Sequence, residues 1–357
     1  MEGGSRLTLL PSVVYGWTRY TYLASRCSKT CQEVQSHSVS ISREFSSCAT
    51  HLLTATAATF GALLFSPNPS LDITLVLKPG HDFPPQLLRT FKSWAVDLHT
   101  LSSSTAPSAR GRILYGTSAS ERTYERLTPP RNTSLADLLI TGAAAAKCFH
   151  LFDTAAETVK WVSRLLLVQK QHELTEPPLF VWEPQAKSCS LNTFEEHRAV
   201  AAKVTVFSPN HAELAQFFPR HGSGHPAQFS REVVEEQAHA FLPASSGTSD
   251  AAKIGPCIII RCAEQGCYVL PSPATVGTWL PPYHGAESAH KVVDPTGAGN
   301  AFLGGAAMSL LQNGGDFVQA AKYGSVSASF AVECVGLPDP ESCDARERLA
   351  EMEQKHS

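Results

Sequence analysis

The sequence lacks an excess of charge of either sign. Its 357 residues include 29 lysines and arginines and 32 aspartates and glutamates, which gives a net charge of −3 when histidine is neutral. Proteins that bind nucleic acid or anionic membranes through electrostatics usually carry a basic excess. The composition therefore gives no signal for a nucleic-acid or membrane partner. A hydrophobic content of 43% also argues against a globally disordered chain.

A long apolar run and a zinc-binding cysteine pattern are also lacking. The longest uncharged apolar stretch, residues 52–65, is shorter than the ~20 residues that a transmembrane helix requires. No signal-peptide pattern is present, so we expect a cytoplasmic protein. The ten cysteines do not form Cys-x2-Cys pairs, which predicts free thiols in a reducing compartment.

What the sequence does contain, from about residue 50, is an alternation of strand-like and helix-like segments. Short apolar strings predict strands at 71–77, 148–152, 178–184, 204–210, 256–262 and 267–272. Helical spacing of apolar residues predicts helices at 83–99, 154–169, 193–203, 211–218 and 230–242. Residues 110–116 and 121–127 can pair as a hairpin. This alternation favours a three-layer α/β domain with a mainly parallel sheet.

One segment, VVDPTGAGNAFLGG at 292–305, suggests chemistry. We expect Val292 and Val293 to end a strand, and Pro295 to impose an extended or turn geometry on the residue before it. Gly297, Ala298 and Gly299 then form a compact turn before a helix. Backbone amides at a helix N-terminus, together with the helix dipole, bind anions. The segment therefore predicts a phosphate-binding loop.

The string DPTGAGNAF resembles the C-terminal signature of the PfkB, or ribokinase-like, carbohydrate kinases. GHDFPP (80–85) is similar to the family's Gly-x-Asp loop, and SPNHAEL (208–214) to its Asn-x-x-Glu element. IIRCAEQGCYV (259–269) is similar to the strand–turn–strand beside the nucleotide, and residues 321–338 to the helix closing over the adenine. The strings VWEP, FSPNHAEL and DPTGxGNxFLGG are most similar to a fungal branch that includes a killer-maintenance protein.

This resemblance covers about residues 52–338, and it implies a ribokinase-like fold with a small β-lid. It implies ATP and Mg²⁺ as cofactors and a sugar-like or nucleoside-like small molecule as the hydroxyl acceptor. It also implies a homodimer formed through the lid. We expect three parts: a poorly readable segment 1–50, a kinase domain 51–338 and a charged, solvated tail 339–357.

The resemblance also implies residue roles. Asn300 stands at the position of the catalytic base, and the anion hole is formed by Gly297, Ala298 and Gly299. The nucleotide and cation are handled by Asp294, Thr296, Asn210, Glu213 and Gly266, with Glu213 holding magnesium through water. His81 and Asp82 lie on the substrate side.

The sequence departs from the family pattern at residue 300, where active members carry an aspartate. Asparagine cannot accept a proton near neutral pH, although it can orient a hydroxyl by hydrogen bonding. General-base help is worth roughly 10²–10⁴-fold, so its loss predicts a slow kinase. Two alternatives stay open: a nucleotide-binding pseudokinase, and an interaction protein that stabilises a ribonucleoprotein or viral particle.

Two more departures concern glycine. The family's early Gly-Gly substrate motif would fall at Leu53, Thr54 and Ala55, so the chain departs from the family pattern on the side of the sugar pocket. Ala263 stands where the nucleotide turn usually has glycine. Without glycine, the close backbone approach that such turns permit is less accessible.

Overall fold

The computed structural model of the protein describes residues 7–9, 50–115, 122–174, 176–219, 229–242 and 254–354. Nine of its strands form one twisted sheet, and two form a separate hairpin. The strands are β1 (Leu7–Leu9), β2 (Ile73–Leu77), β3 (Asp97–Thr100), β4 (Gly111–Tyr115), β5 (Arg122–Arg126), β6 (Cys148–Asp153), β7 (Leu179–Pro184), β8 (Val206–Phe207), β9 (Cys257–Arg261), β10 (Cys267–Pro271) and β11 (Thr278–Leu280).

The large sheet has the order β11-β10-β9-β8-β7-β6-β1-β2-β3. All neighbouring strands from β9 to β3 are parallel, and only β10 and β11 run antiparallel to their neighbours. Parallel strands need crossover connections, which the helices between them supply. The mainly parallel α/β fold predicted from the alternation is therefore confirmed.

Helices cover both faces of the sheet. They are α1 (Thr50–Leu63), α2 (Pro69–Asp72), α3 (Pro85–Ser93), α4 (Leu135–Ile140), α5 (Ala155–Gln171), α6 (Phe194–Ala201), α7 (His211–Gln216), α8 (Arg231–His239), α9 (Ala298–Gln312), α10 (Phe317–Val332) and α11 (Ala345–Gln354). Successive residues of β9 face opposite cores: Ile259 packs in the core with α1, α9 and α10, and Ile258 and Ile260 pack in the core with α5 to α8.

Helices α1 and α9 approach each other closely at two glycines. A Cβ at Gly61 would overlap the Ala301 carbonyl oxygen, and a Cβ at Gly304 would overlap that of Ala58. This contact places the N-terminus of α9 beside the sheet. Thr54 and Ala55, which sequence reasoning aligned with a substrate motif, are buried inside α1 at 4% and 2% exposure. They therefore belong to the core and not to a loop that can contact a substrate.

Two sequence predictions about local structure are wrong. The helix predicted over 83–99 ends at Ser93, because Ala95 takes a left-handed φ of 54° and the chain then pairs with β2 as β3. No strand ends at Val293: Val292 and Val293 are 44% and 58% exposed and follow a 3₁₀ turn. The Val293 N–H instead donates to the Val332 carbonyl oxygen at 2.7 Å.

The two ends of the chain also contribute to the fold. The segment 1–50 supplies β1, which is inserted between β2 and β6 and is the third strand from the β3 edge of the sheet. Residues 10–49 lie outside the described part. The tail expected to be solvated instead forms α11, whose Ala345 and Met352 are buried at 3% and 1% exposure. Arg348 of this helix pairs with Glu333 at 2.8 Å, so the tail packs on the domain.

The hairpin predicted at 110–127 is present as the antiparallel pair β4–β5. Dimerisation through it stays a prediction. The seven described cysteines are free thiols, and five of them are buried. Among the described residues, none of the helices is both long enough and apolar enough to cross a membrane.

Candidate active site

The predicted phosphate loop leads directly into α9. Gly297 caps this helix with a left-handed φ of 86°, a conformation that favours glycine. Asp294 accepts a hydrogen bond from the Thr296 N–H at 2.9 Å and so closes the turn before the glycine. In the structure, Asp294 therefore stabilises the conformation of the loop.

Backbone amides at the start of α9 are available to a ligand. The N–H groups of Gly297, Gly299 and Asn300 have no partner among the described residues, whereas Ala301 donates to the Gly297 carbonyl oxygen at 2.9 Å. Ala298, expected in the anion hole, already donates to the Pro295 carbonyl oxygen at 3.3 Å. Free amides at the N-terminus of a 15-residue helix suit an anion.

A buried carboxylate that sequence reasoning missed lies beside this loop. Glu183 is at the carboxyl end of β7 and is only 6% exposed. Its Oε2 accepts a hydrogen bond from Asn300 Nδ2 at 2.5 Å. The available signal was the string VWEP, in which a glutamate ends a buried strand. Buried glutamates are rare unless they are paired, so this position was a candidate site residue.

Arg261, the last residue of β9, joins the carboxylates of this cluster. Its Nη2 lies 3.0 Å from Glu183 Oε1 and 3.7 Å from Glu213 Oε2. The same nitrogen donates to the Ser208 carbonyl oxygen at 2.9 Å. A Cβ at Gly299 would overlap Arg261 Nη1, so the guanidinium lies directly against the loop. The Arg261 guanidinium and the free amides at the start of α9 thus lie next to each other.

The electrostatics of the cluster keep Glu183 ionised. Burial alone raises the pKa of this carboxyl, but the Arg261 charge and the neighbouring His150 outweigh it and hold the pKa below its usual range. His150 Nε2 lies 3.5 Å from Glu183 Oε2, and the histidine is 1% exposed. A carboxylate that stays charged in a buried position requires such partners.

Asn210 and Glu213 form a capping box at the start of α7. Asn210 Oδ1 accepts from the Glu213 N–H, and Glu213 Oε2 accepts from the Asn210 N–H, both at 2.8 Å. Asn210 also pairs with Arg261 as an isolated β-bridge, which brings this element to the loop. Glu213 is 6% exposed, and the described residues contain no cluster of three metal-binding side chains. Its role through a water-bound magnesium stays a prediction.

The residues expected on the substrate side have other partners. Asp82 accepts a hydrogen bond from the Ser108 N–H at 2.6 Å and pairs with Arg110. His81 is exposed, and its N–H donates to the Ala106 carbonyl oxygen at 3.1 Å. These contacts fasten the loop after β2 to the chain entering the β4–β5 hairpin. Neither side chain contacts the phosphate loop within the described residues.

The turn between β9 and β10 keeps a glycine-like backbone. Gly266 has a φ of 85°, and a Cβ there would overlap the Leu280 carbonyl oxygen. Ala263 has a φ of 50°, so alanine adopts the left-handed conformation at the position where glycine was expected. The observed role of Gly266 is thus the close packing of this turn against β11. Nucleotide contact by Gly266 stays a prediction.

Residues 179–342 match the model of the pfkB family of carbohydrate kinases. The matched region runs from β7 to the turn before α11 and includes Glu183, Arg261 and the whole phosphate loop. His150, His81 and Asp82 lie outside this matched region.

Two fungal proteins are similar to the chain over a longer range. Protein MAK32 of Saccharomyces cerevisiae is 27% identical over 296 residues, which cover 79% of this chain and 77% of that protein. An uncharacterized protein of Schizosaccharomyces pombe is 28% identical over the same shares. Among solved structures, ribokinase from Giardia lamblia aligns with a TM-score of 0.61 at 15% identity, over 99% of this chain and 100% of that one. This likeness shows a ribokinase-like fold.

Proposed function

We propose that this protein binds ATP with Mg²⁺ and transfers the γ-phosphate to a hydroxyl group of a small molecule, a proposal supported by the match of residues 179–342 to the pfkB carbohydrate kinase model. The acceptor that the family resemblance favours is sugar-like or nucleoside-like. The observation that carries the proposal is the loop itself, where free amides of Gly299 and Asn300 lie beside the Arg261 guanidinium.

These residues suit the phosphates of a nucleotide. The amides at the start of α9 donate hydrogen bonds to phosphate oxygens, and the helix dipole favours their negative charge. The Arg261 guanidinium lies against the loop with its Nη1 and shares its charge with Glu183 and Glu213, and guanidinium groups bind phosphate with well-defined geometry. Mg²⁺ bound with the nucleotide supplies further charge neutralisation. Phosphoryl transfer depends mostly on such positioning and charge neutralisation.

The reaction is expected to be slow, because residue 300 is not a base. Asn300 cannot take the proton of the attacking hydroxyl, and the missing general-base help is worth roughly 10²–10⁴-fold. Its amide can still orient that hydroxyl by accepting a hydrogen bond. The proposed catalysis therefore depends on positioning of the reacting groups, and residue 300 does not abstract the proton.

A second candidate is a nucleotide-binding pseudokinase. The observation that favours it is that Asn300 is already hydrogen-bonded to Glu183, and that Glu183 in turn is paired with Arg261. Such a network can serve binding and stability alone. The interaction-protein alternative, a stabiliser of a ribonucleoprotein or viral particle, stays a prediction.

Thermal unfolding with and without ATP and Mg²⁺ tests nucleotide binding first. A ligand at a hundredfold excess over its Kd stabilises the folded state by about 2.7 kcal/mol. Transfer of radiolabelled γ-phosphate to a panel of sugars and nucleosides then separates the candidates. Stabilisation with transfer supports the kinase, and stabilisation without transfer supports the pseudokinase. No stabilisation at millimolar nucleotide contradicts both.

A further inference from the structure

The orientation of the Asn300 amide is set by its partner. Nδ2 donates to Glu183 Oε2, so Oδ1 points away from that carboxylate. Oδ1 has no hydrogen-bond partner among the described residues, and Asn300 is half-buried at the mouth of the loop. The Asn300 side chain therefore donates from Nδ2 to Glu183, and its Oδ1 is free to accept a hydrogen bond. An acceptor in this place suits the hydrogen of a hydroxyl group.

Glu183 in turn requires a donor at position 300. Three groups face its carboxylate: Arg261 from β9 at 3.0 Å, His150 from β6 at 3.5 Å and Asn300 from α9 at 2.5 Å. Arg261 also serves Glu213, so one guanidinium already balances two carboxylates. An aspartate at 300 would add a third carboxylate against Glu183 Oε2. Two carboxylates at such a distance cannot both stay ionised without a large cost.

We propose that Glu183 carries the carboxylate of this site and that Asn300 is the neutral partner adapted to it, the two forming a matched amide–carboxylate pair. Within the pair Glu183 is a positioning residue, since it turns Asn300 Oδ1 toward the acceptor hydroxyl. The hydroxyl contact rests on the proposed kinase function, whereas the pairing does not.

A square of four proteins tests the pairing: wild type, Asn300→Asp, Glu183→Gln and the double variant. At pH 8 we expect Asn300→Asp to lower the unfolding temperature by about 5 °C or more, because two carboxylates meet in a buried place. The double variant again has one carboxylate and one amide. Its unfolding temperature should therefore lie close to that of Glu183→Gln, because Asn300→Asp costs little in that background. Additive effects of the two substitutions would overturn the pairing.

Glu213→Gln is the matched control. Glu213 Oε2 lies 3.7 Å from the same guanidinium, whereas the Asn300 amide donates to Glu183, and a glutamine at 213 can keep the capping box. If only the charge near Arg261 mattered, Glu213→Gln would rescue Asn300→Asp as well as Glu183→Gln does. We expect no rescue from it. Equal rescue by the two glutamines would contradict a specific pair.

The pH dependence provides a readout that simple packing does not move. In Asn300→Asp the shared carboxyl pair has a raised folded pKa, so its stability relative to wild type should improve as the pH falls through that value. The improvement should be absent from the double variant, in which the second carboxyl is gone. A loss of stability in Asn300→Asp that is the same at pH 5 and pH 8 would contradict the proposal.

Release of inorganic phosphate from ATP with Mg²⁺, with water as acceptor, tests the positioning role. We expect Glu183→Gln to keep the nucleotide-induced thermal shift and to lose about tenfold or more in rate, since only orientation of the acceptor changes. The double variant places a carboxylate at residue 300 beside an amide donor, so it should regain at least the wild-type rate. If the stability effects are coupled but ATP with Mg²⁺ causes no thermal shift, the pairing is supported and the kinase function is contradicted. If Glu183→Gln leaves the rate unchanged, the positioning role of Glu183 is contradicted.

Discussion

The phosphate-loop side and the hairpin side of the domain are built differently. On the side of β7, β9 and α9, charged side chains converge on a loop whose amides at Gly299 and Asn300 are free. On the side of α1 and the hairpin, the polar side chains serve local structure, as when Asp82 binds the Ser108 N–H and Arg110. The loop side thus carries groups that suit an anion. The hairpin side shows no comparable cluster within the described residues.

This difference separates two kinds of recognition, that of the phosphate and that of the hydroxyl acceptor. Phosphate is common to all nucleotides, so a loop of amides and one arginine can recognise it by shape and charge alone. A particular hydroxyl acceptor needs specific polar groups in a pocket.

Arg261→Met should cause the largest loss of stability. It leaves Glu183 and Glu213 buried without their cation, and removal of one partner from a buried ion pair typically costs about 3–5 kcal/mol. Arg198→Met is the control, because its pair with Glu195 is on the surface and should cost below about 1 kcal/mol. Chemical denaturation of both variants makes the comparison. Equal losses would mean that the buried cluster is not a unit.

The same substitution should reverse a pH trend. In the wild type the folded pKa of Glu183 is lowered, so its contribution is present above the unfolded pKa and is lost as the pH falls through the folded pKa. Without Arg261, burial dominates and raises that pKa. The variant's stability deficit should therefore shrink as the pH falls from 8 to 5. Unfolding curves at several pH values measure this, and a deficit that grows toward pH 5 would contradict it.

Gly299→Val should abolish protection by nucleotide. A side chain there would displace the Arg261 guanidinium and intrude where backbone must meet phosphate. The expected loss is the whole shift, about 2.7 kcal/mol at a hundredfold excess over Kd. Gly285→Val is the control, because a Cβ at Gly285 meets open space. A wild-type thermal shift in Gly299→Val would mean that this loop is not the site.

Asp82→Asn should affect the hairpin side alone. It weakens the pair with Arg110, whose side chain is 38% exposed, so the expected cost is about 1 kcal/mol or less. The nucleotide-induced thermal shift should stay unchanged. His81→Ala, at an exposed neighbour, should change neither quantity. Loss of the nucleotide-induced thermal shift in Asp82→Asn would show that the hairpin side and the phosphate-loop side are coupled.

Ala263→Gly should give the smallest effect, a gain in stability of about 0.5–1 kcal/mol. Alanine at a φ of 50° pays a steric cost that glycine avoids, although glycine also loses more backbone entropy on folding. Ala350→Gly, on the exposed face of α11, is the opposite control and should lose about 1 kcal/mol. Denaturant midpoints of the two variants compare them directly. A loss in both would mean that the turn is not strained.

Much of the fold could be predicted from local patterns. The alternation of apolar strings with helical spacing indicated parallel strands and crossover helices, and the hairpin at 110–127 was found from two short segments. Local patterns failed where longer-range pairing decided the outcome. The segment before residue 50 had no readable pattern, yet Leu7–Leu9 forms an interior strand because it pairs with β2 on one side and β6 on the other.

By itself, the sequence determined the features whose partners are close along the chain. The turn at Asp294, the capping box of Asn210 and Glu213 and the free amides at the start of α9 all depend on contacts over a few residues. The charge of the site was decided only by the tertiary structure. Glu183 and Asn300 are 117 residues apart, and no spacing rule links them. They meet because β7 and β9 lie in one parallel sheet, whose order no local pattern specifies, and because α9 begins against the Arg261 guanidinium.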